Sequence, residues 1–394
     1  MIQIDRRTVA RTHAFLELGF RPFFLGAAGF AVVAMAIWMG LFTFGWPIRL
    51  NGLSPTAWHA HEMIYGYSLA VVAGFLLTAV RKWTDRPTLD GAPLLALVVL
   101  WAVGRVVPFL GGAAPLWVAA VTDTAFVAGL LVATTRPVVQ ARQWGQLGPL
   151  AIPGVMLAGD LTFYLGALGV VPNGVFVGLY AGLYLILALI FKMGRRVIPG
   201  FIEAGVGYRV RLKNWRWVDW SSLVCFVLFA IADLLTPNGS VVALLAALLV
   251  VLHGVRLAGW HTPGLWHKPL LWVLYLGYGS LVAGFALKAA AVVFAISPYL
   301  AVHAFTVGGI GMITLGMMAR VSLGHTGRNV LDPPSGLSGM FVLLGVTALV
   351  RVLVPLLDAS RYGLWIGLSQ ALWIAAFAMF AYRYAPMLIR SSVR

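Results

Sequence analysis

The chain has 394 residues, of which 61% are hydrophobic and only 10% charged, with a mean hydropathy of +0.92. A soluble domain carries about 25% charged residues and about half apolar ones, so this composition excludes a surface solvated mainly by water and leaves lipid as the main solvent. The single cysteine, Cys225, excludes a disulfide framework, a zinc ribbon, a cysteine-ligated iron–sulfur cluster and a covalently attached haem. Any metal would rest on histidine, methionine or carboxylate. A net charge of +16 would suggest nucleic acid in a soluble chain, whereas in a polytopic one it reflects basic loops held on the cytoplasmic side.

About 20 apolar residues cross the hydrocarbon as a helix. Such stretches fall at 22–44, 55–80, 91–110, 114–134, 149–171, 174–192, 218–235, 240–258, 270–295, 298–320, 336–357 and 362–382. The expected fold class is therefore all-α, a polytopic membrane bundle of about 12 transmembrane helices formed by one domain, residues 1–394. The first stretch is too long for a cleavable signal, and no small-residue cleavage site follows it. The longest polar stretch, 192–217, reads as a loop with an interfacial helix. Twenty-three Lys and Arg residues fall on the side of the termini, and four fall on the other side: Arg49, Arg105, Arg351 and Arg361. That asymmetry puts both termini in the cytoplasm, and it reads the basic residues as topology, with no nucleic-acid partner.

Ionisable groups at membrane depth are expensive and by default mark function or a buried pair. His13 lies in the N-terminal tail, and Arg21, at the inner mouth of the first span, reads as a lipid-phosphate anchor. The second span opens with Ser54-Pro55 and the tenth with Ser297-Pro298, the pattern of a serine N-cap followed by proline in the first turn. His59, His61 and His303 follow these prolines by four, six and five residues, which sets them within a few ångströms of one depth at about 1.5 Å per residue. His59 and His61 are about 200° apart around a helix and face opposite sides, implying two nearby centres or one ligand with a supporting neighbour. Glu62 beside them can orient an imidazole through its N–H.

Asp123 and Asp160 sit mid-span on the fourth and fifth helices and are candidates for a proton path. The Met193–Val197 run at the end of the sixth span matches Met318–Val321 at the end of the tenth, a hint of a four-helix repeat. His253, in the inner half of the eighth span, and His325, past the inner end of the tenth, would form a second, inner centre with His13. His261 and His267 read as ordinary loop residues. Lys288 on the ninth span needs an anionic partner, Asp123 or Asp160. Gly308, Gly309, Gly311 and Gly316 on the tenth give small faces for close helix packing.

Neutral imidazole at this depth suits haem iron, copper or zinc, and two histidines from facing helices are a usual way to hold a b-type haem. The segments Gly19–Phe24, Trp58–Met63, Ala73–Val80 and His303–Arg328 resemble the NnrS family, and the likeness covers nearly the whole chain. The resemblance implies a haem- and copper-containing inner-membrane protein of the nitric oxide response, linked to denitrification and nitrosative stress, with no catalytic residues to carry over. The architecture also resembles the main subunit of haem–copper oxidases, but that family's histidines on the sixth and seventh helices are missing here. The leading expectation is a protein that binds or turns over nitric oxide at a histidine-ligated site in the outer half of the bundle. An enzyme of this kind would draw electrons from membrane quinol, and whether any reaction is catalysed is open. The alternative is a transporter for a metal, haem or a nitrosylated iron complex, and a third reading is an assembly partner for a respiratory complex.

Overall fold

The computed structural model describes residues 14–110 and 116–393. Twelve helices are long and apolar enough to cross a membrane: Phe20–Phe42, Pro55–Thr84, Gly91–Phe109, Leu116–Gln140, Trp144–Ala167, Gly174–Gly205, Arg216–Leu235, Ser240–Gly259, Pro269–Phe294, Pro298–His325, Leu337–Leu357 and Tyr362–Ile389. They are spans 1 to 12 below, and no strand occurs among the described residues. The protein is a polytopic all-α membrane bundle.

Span 6 departs from expectation. It runs unbroken for 32 residues to Gly205, so most of the polar stretch expected as a loop is helix. Hydropathy falls at Lys192, but the helical period does not: Met193, Gly194, Ile198, Pro199, Ile202 and Gly205 continue a buried face.

Spans 2 and 10 form the centre, with 83% and 78% of their apolar stretches buried, against 28–50% for the other ten. Span 6 touches both, and spans 1 and 12 pack together. Tyr67 on span 2 and Thr314 on span 10 share a hydrogen bond of 2.7 Å. Without a hydrophobic force between helices in lipid, close approach at small residues does the packing. Gly308 and Gly309 press against Ser280 and Leu281 of span 9, Gly311 against Trp373 of span 12 and Gly316 against Val273.

Both central helices change winding at matching places. Span 2 is α-helical over Pro55–His61 and π-helical over Glu62–Ser68. Span 10 is α-helical over Pro298–His303 and π-helical over Ala304–Gly311. Segments of this kind are rare and concentrate at functional sites. Here each begins at the residue after a histidine, His61 or His303. The Ser68 hydroxyl bonds back to the Met63 carbonyl at 2.7 Å, satisfying an acceptor that the wider turn disturbs. The Ser54 side chain accepts the Ala57 N–H at 3.2 Å, as an N-cap should. Ser297 makes no side-chain cap, so the two helix starts are alike in sequence but not in bonding.

Arg21 is not a lipid anchor. It is fully buried and donates to the carbonyl oxygens of Met387, Leu388 and Arg390 at 3.4, 3.0 and 2.6 Å and to the Ser392 hydroxyl at 2.9 Å. It thereby satisfies the open carbonyls at the end of span 12, where a cation also suits the helix dipole.

Candidate metal and cofactor centres

Because two residues turn an α-helix by about 200°, His59 and His61 open on opposite sides of span 2. The His61 ring lies between Phe163 and Tyr65, with ring centres 4.4 and 5.1 Å away. Its Nε2 is 2.9 Å from Asp160 Oδ1 and 3.9 Å from Asp123 Oδ2, and its Nδ1 is 3.3 Å from Glu62 Oε1. Arg105 donates one N–H to Glu62 Oε2 and another to Asp123 Oδ1. The Tyr164 hydroxyl donates to Asp123 Oδ2 at 2.6 Å. Spans 2, 3, 4 and 5 each contribute to this cluster, and no member is more than 6% exposed.

Glycines make room for it. A Cβ at Gly104 would collide with Asp123 Oδ1, one at Gly66 would sit 2.7 Å from Glu62 Oε2, and ones at Gly159 and Gly182 would lie 2.7 and 2.6 Å from the Tyr65 hydroxyl. That hydroxyl donates to the Gly178 carbonyl at 2.7 Å, fixing the ring that covers His61.

His59 faces span 1 instead. Its ring stacks on Trp38, with centres 4.4 Å apart and planes 5° from parallel, and its Nδ1 is buried with no hydrogen-bond partner. His303 on span 10 is within electrostatic reach of both His59 and Arg351. Its Nδ1–H donates to the Tyr299 carbonyl at 2.7 Å, and its Nε2 accepts from Arg351 Nη2 at 3.1 Å. A carbonyl can only accept and a guanidinium can only donate, so these partners fix the tautomer and leave the lone pair on Nε2. A backbone carbonyl on the other ring nitrogen is how ligating histidines are usually held. Arg351 Nη1 is buried and unpartnered.

The remaining candidates lie elsewhere. Lys288 does not pair with Asp123 or Asp160. Its Nζ is 2.9 Å from Asp233 Oδ1 of span 7 and 3.0 Å from Asn238 Oδ1, and Tyr184 donates to the other Asp233 oxygen. Lys288 is on span 9, whose neighbour in the bundle is span 8 and its preceding turn, which brings the end of span 7 within reach and keeps spans 4 and 5 away. His253 and His325 do not meet in an inner centre. His253 is enclosed by Phe191 and Phe285, with Nδ1 2.6 Å from the Tyr278 hydroxyl and 3.2 Å from Arg256. His325 is exposed, with its ring 5.6 Å from that of Phe20. His13 lies outside the described residues. In the loop between spans 8 and 9, His261 Nε2 accepts the Trp266 indole N–H at 3.2 Å.

Two further arginines, both beside histidine centres, were also misassigned by sequence reading. Arg105 and Arg351 counted as loop charges, yet they are 6% and 9% exposed and each serves a histidine centre. The signal was present: each sits in the last turn of an apolar helix, three or four residues before a proline, where the helix still has a buried face.

The bundle and its enclosed histidine–carboxylate and histidine–arginine centres define a multi-pass membrane protein with ionisable chemistry built into its interior. A family model described as NnrS protein matches residues 14–392, and the chain belongs to the NnrS family. Curated proteins give no match.

Proposed function

We propose that the protein serves the nitric oxide response as a cofactor-bearing inner-membrane protein, with haem, and copper near it, held by His59 and His303 at the outer end of spans 2 and 10. The reading rests on one observation: two central helices present imidazoles at matching positions, each within a residue or three of a π-helical turn, one with an unpartnered buried Nδ1 and the other with its Nδ1–H fixed, so that its lone pair lies on Nε2, where a metal would take the place of the Arg351 N–H. A pair of neutral imidazoles is a fitting donor set for haem iron or copper. Iron or copper held by these residues would supply the affinity for nitric oxide that side chains alone lack.

The surrounding residues do the rest. Trp38 fixes the plane of the His59 ring, and Tyr299 holds the azimuth of His303. Arg351 brings a positive charge with an unpartnered Nη1, suited to steadying an anionic or polarised oxygen. Nitric oxide is neutral and partitions into lipid, so it needs no charged channel. The positive-charge asymmetry sharpens once Arg105 and Arg351 are counted as interior residues, leaving Arg49 and Arg361 on the side opposite the termini. This supports cytoplasmic termini and an outer position for the site.

A visible absorption spectrum and metal analysis of the purified protein test the reading. A Soret band lost in His59→Ala and His303→Ala is expected. The absence of both haem and copper at near-stoichiometric level would reject it and favour transport of a metal or nitrosylated iron complex, a reading that the paired π-helical segments of spans 2 and 10 also suit.

A further inference from the structure

The His61 side of span 2 carries a second centre whose construction goes beyond helix packing. Three carboxylates, Glu62, Asp123 and Asp160, are enclosed with a single guanidinium, Arg105. With a neutral imidazole this leaves two negative charges in a low-dielectric interior, where an unpaired charge costs several kcal/mol. Asp160 is fully buried, and its Oδ2 has no hydrogen-bond partner.

We propose that His61 Nε2 and one carboxylate oxygen each from Asp123 and Asp160 form a binding site for a divalent cation such as manganese, iron(II) or zinc. One ligand atom from each of the three residues lies within 4.8 Å of the others. Ligands about 2.1 Å from a metal stand about 3.0–3.4 Å apart in tetrahedral or octahedral sites. The 2.9 and 3.9 Å separations of His61 Nε2 from Asp160 and Asp123 bracket that range. A cation carrying two charges neutralises the cluster.

Two of the three ligands, His61 and Asp123, are held from behind. When Nε2 coordinates, Nδ1 keeps its proton and faces Glu62 Oε1 at 3.3 Å, giving the carboxylate–histidine–metal arrangement that fixes an imidazole. Arg105 in turn holds Glu62 and Asp123, and Tyr164 holds Asp123. One nitrogen and two carboxylate oxygens favour harder ions than a pair of imidazoles does. Four glycines, Gly66, Gly104, Gly159 and Gly182, leave the space. The site lies on the opposite face of span 2 from His59 and stands independently of the haem reading.

The test uses the full-length protein in detergent, stripped with a chelator and titrated with manganese(II) alone while the electron paramagnetic resonance signal of free manganese is followed; zinc then competes. One equivalent of manganese per chain is expected to lose its free-ion signal. Asp160→Asn and His61→Gln are expected to weaken binding at least tenfold, while His59→Ala and His303→Ala bind as the parent does. Lack of saturable binding by the parent protein overturns the proposal whatever the variants do, as does unchanged affinity in both Asp160→Asn and His61→Gln. Manganese bound by a His59→Ala protein that has kept its Soret band would sink the haem ligation and leave this site standing.

Discussion

His59 and His61 are two residues apart on one helix and share no partner: one lies flat on Trp38 of span 1, the other bonds Asp160 of span 5 at 2.9 Å. The two faces of span 2 are therefore separable by mutation. His59→Ala is expected to abolish the Soret band without changing manganese affinity, and Asp160→Asn to do the reverse. Optical spectra and metal titration on the same preparations check this.

Arg351 donates to His303 Nε2 at 3.1 Å. Replacing it by methionine removes a buried positive charge beside the proposed iron ligand. In an environment of effective dielectric constant near 20, such a charge is worth a few kcal/mol at contact distances. Arg351→Met is expected to keep the haem and lower its midpoint potential by roughly a hundred millivolts, read by redox titration. An unchanged potential would place the iron away from His303.

Lys288 and Asp233 are a buried pair at 2.9 Å, each less than 5% exposed. Breaking such a pair from one side typically costs about 3–5 kcal/mol, because the partner is left charged and unmatched. Lys288→Met should lower the unfolding temperature in detergent clearly, and Lys288→Met with Asp233→Asn should recover much of the loss. If the double variant is as unstable as the single, the pair is not what holds these helices.

Two pairs of glycine substitutions discriminate packing from propensity. Alanine at Gly104 or Gly182 would drive a methyl into Asp123 or the Tyr65 hydroxyl, whereas nothing lies within 4 Å of a Cβ at Gly29 or Gly254. Gly29→Ala and Gly254→Ala are expected to be neutral or to stabilise by up to about 1 kcal/mol. Gly104→Ala and Gly182→Ala should destabilise and weaken manganese binding.

Asp358, in the turn between spans 11 and 12, accepts from the Ser360 hydroxyl at 2.5 Å, the Ser360 N–H at 3.2 Å and the Trp365 indole at 3.3 Å. These bonds, the Ser360 hydroxyl first, hold its carboxyl below the ordinary value. A depressed carboxyl contributes stability above its unfolded pKa and loses it as pH falls through the folded one. The stability gap between the parent and Asp358→Asn should therefore be present at neutral pH and close on acidification. A gap that widens in acid would contradict the assignment.

Much of this molecule follows from one-dimensional pattern. Runs of about 20 apolar residues needed no tertiary information to be read as spans, because lipid forces every backbone polar group to bond within its own helix. The 200° separation of His59 from His61 is likewise a property of the helix alone. Partner choice was not legible. Whether Lys288 meets Asp160 or Asp233, whether Arg105 faces solvent or two carboxylates, and whether Arg21 reaches a phosphate or the end of span 12 all depend on which helices become neighbours, and that is decided by small-residue contacts spread over the whole bundle. The π-helical turns after His61 and His303 also belong to the tertiary level, since they cost local hydrogen-bond geometry that only the enclosing helices can recover.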